Sequence, residues 1–248
     1  MYFCPLQLAK NMPNPYFKFK QFTIWHNLCA MKVGTDGTLL GAWVSCRNCR
    51  TALDIGCGSG LITLMLAQRC QAQIDAIDID EGAVAQTRIN AQNSPFAERI
   101  TVWHESLQEF SKRHAKSYDL IVSNPPYFID SLKCPNQQRN TARHTDTLPL
   151  HELLEGSRRL LTPLGHLALI LPYDQRQNLL DAAGQQGFYL CKETAVRSIP
   201  NAAPKRILAD FSMENTAVPL SNQLTIEQAD HQFTDEFREL AKDFYLKL

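Results

Sequence analysis

The chain has 248 residues, 44% hydrophobic and 20% charged, with 25 basic and 25 acidic side chains. That composition excludes a disordered chain. Zero net charge gives no support to a generic nucleic-acid or membrane binder, and no apolar run approaches the roughly 18 residues of a membrane span.

The N-terminal MYFCPLQLAKNMPNP lacks a signal-peptide apolar stretch. The eight irregularly spaced cysteines are therefore expected as reduced thiols in the cytoplasm. Residues 1–43 read as an N-terminal extension ending in a helix over Gly37–Trp43. Lys10, Lys18, Lys20 and Lys32 stand in it with no acid before Asp36. Thr51–Ile55 is a predicted strand and Leu61–Ala67 the helix that follows it. Ile74–Ile79 is a second strand, and Ala83, Val84, Thr87 and Ala91 mark a second helix. Ile100–Trp103, Ser106–His114 and Tyr118–Val122 continue as strand, helix and strand. Leu150, Leu153, Leu154, Leu160 and Leu161 form a helical stripe stopped by Pro163. His166–Leu171 reads as a strand buried on both faces, and Asp174–Gln186 as a helix. Phe188–Arg197 and Arg206–Met213 read as a closing, antiparallel pair of strands. Leu224–Ile226 is a short extra strand, and 234–246 a C-terminal helix. This βαβα alternation predicts one doubly wound α/β domain over 1–248.

The first chemical signal is Asp54-Ile-Gly56-Cys-Gly58-Ser-Gly60. Glycines permit positive φ and close approach of backbone to a ligand, and the following helix N-terminus faces that ligand. The spacing is Gly-x-Gly-x-Gly, not the dinucleotide Gly-x-Gly-x-x-Gly. An acid directly before the glycines would repel a pyrophosphate and attract a cation. S-adenosylmethionine, with its ammonium and sulfonium, fits. Asp78, ending the next strand, is placed to accept from ribose hydroxyls.

The second signal is Asn124-Pro125-Pro126-Tyr127 at the carboxyl end of a strand. Each proline fixes φ and removes an N–H, so the corner is stiff and rich in carbonyl acceptors. Asn124 adds a side-chain carbonyl. Two such acceptors suit a planar NH₂. Accepting both hydrogens localises the nitrogen lone pair and stabilises the positive charge that develops as a methyl arrives. Tyr127 and Phe128 can stack on a planar base.

Together these motifs resemble the class I S-adenosylmethionine-dependent methyltransferases that act on planar amino groups. Phe17–Phe22, Cys29–Gly37, Leu39–Trp43 and Asp243–Leu246 narrow the resemblance to the bacterial valine-tRNA adenine-N6 methyltransferases, which modify the adenine just 3′ of the anticodon. The resemblance implies a Rossmann-like, seven-stranded, mostly parallel sheet with an antiparallel last strand. It implies that Asp54, Gly56, Gly58 and Gly60 line the methionine end of the cofactor and that Asp78 holds its ribose. Lys32, Thr35 and Asp36 would fold over the pocket, with Asp36 also able to cap the helix that follows. Ser106 stands where many relatives carry an Asp for the cofactor adenine. Asn124 and the Pro125 carbonyl would hold the target amine. Arg139, Arg143 and His144 are candidates for RNA phosphate contact, and the tRNA anticodon loop is the expected partner.

The basic stretch Lys192, Arg197, Lys205 and Arg206 reads as solvated surface or as a further phosphate-facing cluster. Cys46-Arg-Asn-Cys49 lacks the second pair of ligands that a structural zinc needs, and no metal or obligate protein partner is expected. Cys57 reads as a spacer, and Trp25, Trp43 and Trp103 as packing. A glutamine-N5 methyltransferase of a release factor and a guanine-N2 rRNA methyltransferase share the amine-binding chemistry and stay as alternatives. A catalytically silent RNA-binding module would have no need for Asp54, Gly56, Asp78 and Asn124 together.

Overall fold

The computed structural model describes residues 14–29, 32–114, 117–125, 148–215 and 218–248. Its centre is a sheet of eight strands: β3 (Thr51–Ile55), β4 (Gln73–Asp78), β5 (Ile100–His104), β6 (Tyr118–Ser123), β7 (Leu161–Pro172), β8 (Tyr189–Arg197), β9 (Arg206–Ser212) and β10 (Leu220–Thr225). Their spatial order is β10-β8-β9-β7-β6-β3-β4-β5. Only β9 runs against its neighbours. The seven strands β3–β9 thus form the expected sheet with its antiparallel last member. The eighth, β10, adds in parallel to β8 at the edge and is longer than Leu224–Ile226.

Strand alternation sorts the core onto two faces. Ala52, Leu120, Val122, Ala168 and Ile170 pack toward α1 (Thr35–Trp43), α2 (Leu61–Arg69) and the C-terminal α7 (Asp235–Ala241). Leu53, Ile55, Ile121, Leu167 and Leu169 pack toward α4 (Leu107–Arg113), α5 (Leu150–Leu160) and α6 (Arg176–Gln185). The central strands are buried on both sides, which explains their unbroken apolar runs.

Some boundaries differ from the sequence reading. Leu161 does not close the helical stripe but opens β7, pairing with Tyr118. Pro163 falls where the β6–β7 register shifts, a break at which a residue without an N–H is tolerated. A 3-10 turn over Tyr173–Gln175 precedes α6. Helix α1 starts at Thr35 with Gly34 as N-cap, so Asp36 lies in its first turn and is not its cap.

The N-terminal segment contributes a hairpin, β1 (Tyr16–Lys18) and β2 (Thr23–Trp25). Phe19, Phe22 and Ile24 pack with Leu64, Met65 and Phe244. Buried polar groups of α3 (Glu81–Gln92) fasten this segment. Asn90 accepts from the Trp25 N–H at 3.0 Å and donates to its carbonyl at 2.8 Å. Gln86 accepts from the Leu28 N–H at 2.9 Å. A Cβ on Gly82 would come within 2.4 Å of the Leu28 carbonyl, so only glycine permits this approach.

Candidate active site at the switch point of the sheet

The chain progresses from β3 through β4 to β5 in one direction, then returns to lay β6 on the other flank of β3. Between β3 and β6 the order reverses. In open α/β sheets, ligands bind beyond the strands' carboxyl ends at such a point. The glycine turn follows β3, and Asn124 follows β6. Ile55 and Ser123 are paired in register, so both motifs leave the same rim about one strand spacing, ~4.8 Å, apart.

Gly56, Gly58 and Gly60 have φ of 72°, 56° and 78°, values that side chains rarely adopt. The Ile77 carbonyl accepts from the N–H groups of Gly56 and Cys57 at 2.9 and 3.1 Å. The Thr87 hydroxyl donates to the Gly58 carbonyl at 2.9 Å, and Asn90 Nδ2 donates to the Ser59 carbonyl at 2.8 Å. A Cβ at Gly60 would lie 2.9 Å from Thr87, whereas at Gly56 or Gly58 it would meet no atom of the described residues within 4 Å. The first two glycines therefore face open space above the turn, and the third faces α3.

Beneath this turn, Asp54 is completely buried. Thr63 in α2 donates its hydroxyl to Oδ2 at 2.6 Å. Oδ1 has no hydrogen-bond partner among the described residues. Burial raises the carboxyl to about 7; the Thr63 hydroxyl and N–H oppose this, and the Asp78 charge adds to it. A buried acid with an unspent acceptor, under a cradle of positive-φ glycines, fits the cationic methionine end of S-adenosylmethionine. Asp78 ends β4 half-buried and orders the rim: Oδ2 accepts from the Gly58 N–H and Oδ1 from the Asp80 N–H, each at 2.9 Å.

Asn124 is half-buried and Pro125 buried. Ser123 donates to the Ile55 carbonyl at 2.8 Å, locking the end of β6 to β3 one residue before Asn124. Pro126, Tyr127, Phe128, Arg139, Arg143 and His144 lie outside the described residues.

The remaining sequence candidates take varied places. Ser106 is the N-cap of α4: its hydroxyl accepts from the Glu109 N–H at 3.2 Å and donates to the Glu109 carboxylate at 3.1 Å. This N-cap already employs its donor and an acceptor site. Lys32 and Thr35 are exposed. Asp36 accepts from Arg206 Nε at 2.8 Å, tying the start of α1 to the rim end of β9. Among the described residues no group of three His, Cys, Asp or Glu could hold a metal. None of the described helices is long and apolar enough to cross a membrane. A cavity of about 480 Å³ lined by Lys20, Arg47 and Arg69 sits at the opposite end of α2 from the glycine turn.

Sequence reasoning missed the roles of Thr63, Thr87, Asn90, Ser123 and Arg206. The first four are polar residues interrupting otherwise apolar faces, a detectable signal without a readable partner. Arg206 meets Asp36 across 170 residues of sequence, and no local pattern announces it.

Residues 29–182 match the methyltransferase small domain family. A Parabacteroides distasonis protein named tRNA1(Val) (adenine(37)-N6)-methyltransferase is 55% identical over 237 residues, which span 96% of this chain and 100% of that protein. A protein of the same name from Phocaeicola vulgatus is 48% identical over 239 residues, again 96% and 100%. A solved structure of a predicted O-methyltransferase from Agrobacterium tumefaciens has a TM-score of 0.67 at 18% identity, over 84% of this chain and 96% of that one. The last likeness concerns the fold alone.

Proposed function

The chain belongs to the methyltransferase small domain family, and from that premise we propose that it transfers a methyl group from S-adenosylmethionine to N6 of adenine 37, beside the anticodon of a valine tRNA. The observation that carries this reading is the in-register pairing of Ile55 with Ser123. It supports a single site in which a cofactor cradle and an amine-binding corner stand side by side.

S-adenosylmethionine supplies an electrophilic methyl on its sulfonium. The chain's residues hold and align the two reactants, removing much of the entropic barrier to their meeting. Asp54, through its negative charge, and Gly56 and Gly58, through their open backbone, favour the cationic end of the cofactor. Asp78 takes the ribose with the acceptor capacity left after its two backbone bonds. The Asn124 side-chain carbonyl and the Pro125 carbonyl accept the two hydrogens of the adenine amine, localising its lone pair along the line of transfer. Tyr127 stacks on the base, which must first be splayed out of the loop at a cost of a few kcal/mol. The lost proton passes to solvent.

The test is to incubate the protein with methyl-labelled S-adenosylmethionine and, separately, unmodified tRNA, rRNA fragments, DNA and a release factor, then locate the label. The expected product is N6-methyladenosine at position 37 of valine tRNA. Label on a glutamine side chain or on guanine N2 would replace this reading with one of the alternatives.

A further inference from the structure

We propose that Arg197 and Lys205, at the rim ends of β8 and β9, form an RNA phosphate-binding strip continuous with the catalytic corner. This inference rests on the RNA substrate proposed above and assigns part of the surface that holds it.

In sequence these residues belong to the basic stretch Lys192, Arg197, Lys205 and Arg206, which the structure divides. Lys192 is turned inward, its ammonium 4.3 Å from the centre of the Trp43 ring, and burial lowers its pKa. Arg206 is committed to Asp36. The other two face a different situation. Because β9 runs antiparallel to its neighbours, its first residue stands at the carboxyl end of the sheet. Arg206 pairs with Pro172, the last residue of β7, and with Val196, the next to last residue of β8. Lys205 is bound to the same rim from both sides: its N–H donates to the Val196 carbonyl at 2.8 Å, and its carbonyl accepts from the Tyr173 N–H at 3.1 Å. Its side chain is exposed. Arg197 closes β8, held by the Ile226 N–H on its carbonyl at 3.0 Å. Its Nε is buried with no hydrogen-bond partner among the described residues. An orphaned guanidinium donor is costly to keep unless an acceptor arrives.

Asn124 follows β6 on this same rim. From β6 across β7 and β9 to β8 is three strand spacings, about 14 Å. A nucleotide splayed into the Asn124 corner leaves its flanking backbone outside, and phosphates a few nucleotides away fall within that span. Backbone anchors fix the strand ends that carry the two cations. Arg suits bidentate phosphate binding, while Lys adds a point charge. Overall neutrality is no obstacle, since the charges need only converge locally.

The experiment compares wild type with Arg197→Gln, Lys205→Ala and the double variant. Binding to unmodified valine tRNA is measured by fluorescence anisotropy between 50 and 200 mM salt, with S-adenosylmethionine titration and thermal melting as controls. Lys205→Ala removes an exposed side chain and keeps the test informative if Arg197→Gln folds poorly. Each substitution is expected to weaken tRNA binding about two- to fivefold at the lower salt. Each should also reduce the slope of log affinity against log salt by about 0.7, while cofactor affinity and melting temperature hold. Variants that bind with wild-type affinity and slope, while wild type binds and methylates tRNA, would overturn the strip and leave the proposed activity standing. A wild type that neither binds nor methylates any tRNA would overturn that activity and the strip with it.

Discussion

Two aspartates on neighbouring central strands contrast a buried acid whose oxygens are both bonded with one that keeps an unbonded oxygen. Leu53 is paired with Asp75, and Asp54 with Ala76, so the acids are one step apart in register. By alternation they face opposite sides of the sheet. Asp75 is buried among the packing of β5 and β6, and both its oxygens are used: Tyr118 donates its hydroxyl to one at 2.7 Å and Trp103 its indole N–H to the other at 2.8 Å. Asp54 lies under the glycine turn with one oxygen bonded and the other bare. The first acid is complete without a ligand. The second leaves an unfulfilled acceptor in the apo fold, the kind of local inconsistency expected at functional sites.

The contrast can be broken at either acid. The largest effect on stability should come from Asp75→Ala, which strands a buried phenol and a buried indole N–H. Urea unfolding should show a loss of about 2–5 kcal/mol, with cofactor affinity of the folded protein preserved. A loss below about 1 kcal/mol would mean that Asp75 is not the structural member of the pair.

Asp54→Asn should behave in the opposite way. Its carboxyl is raised from 3.8 to about 7 by burial, so the folded state keeps a proton that the unfolded chain has released. Stability linked to this group therefore falls as pH rises through that window, and above it the ionised acid is a burden to the apo fold. At pH 8 the asparagine variant should unfold no more readily than wild type. Its dissociation constant for S-adenosylmethionine should rise about tenfold or more, the scale of a charged hydrogen bond. Wild-type cofactor binding should tighten between pH 6 and 8 and release protons, and the variant should lose that dependence. Calorimetry in buffers of different ionisation enthalpy reads both.

The smallest effect lies at the rim. Arg206→Ala breaks a part-exposed ion pair with Asp36 and should lower unfolding free energy by about 1 kcal/mol or less. Hydrogen exchange should quicken in the first turn of α1 while the sheet stays protected; unchanged exchange there would show that the pair does not hold the helix start.

Much of this architecture was legible from sequence because its causes are local. Apolar runs between glycine or polar breaks mark the seven strands β3–β9, whereas β10 is largely polar and exposed, and the three positive-φ glycines follow from Asp54–Gly60 as written. The misreadings arose where long-range pairing decides. Leu161 fits a helical stripe by spacing, yet Tyr118 draws it into the sheet. Asp36 has the chemistry of a cap, yet Arg206, far along the chain, claims its carboxylate. The hairpin β1–β2 carries little signal of its own because Asn90, Gln86 and Gly82 on α3 fasten its surroundings. The position of Asn124 beside the turn depends on strand order, which periodicity does not encode. Trp103 reads as packing, and it does pack, but its N–H on Asp75 was invisible without the fold.

The most direct test of the shared site is a single-turnover measurement on Asn124→Ala alongside cofactor titration of the same protein. The account predicts that methyl transfer to valine tRNA slows by about 10²–10³ while S-adenosylmethionine binds as in wild type. Transfer at the wild-type rate with cofactor bound would remove Asn124 from the chemistry and contradict the account.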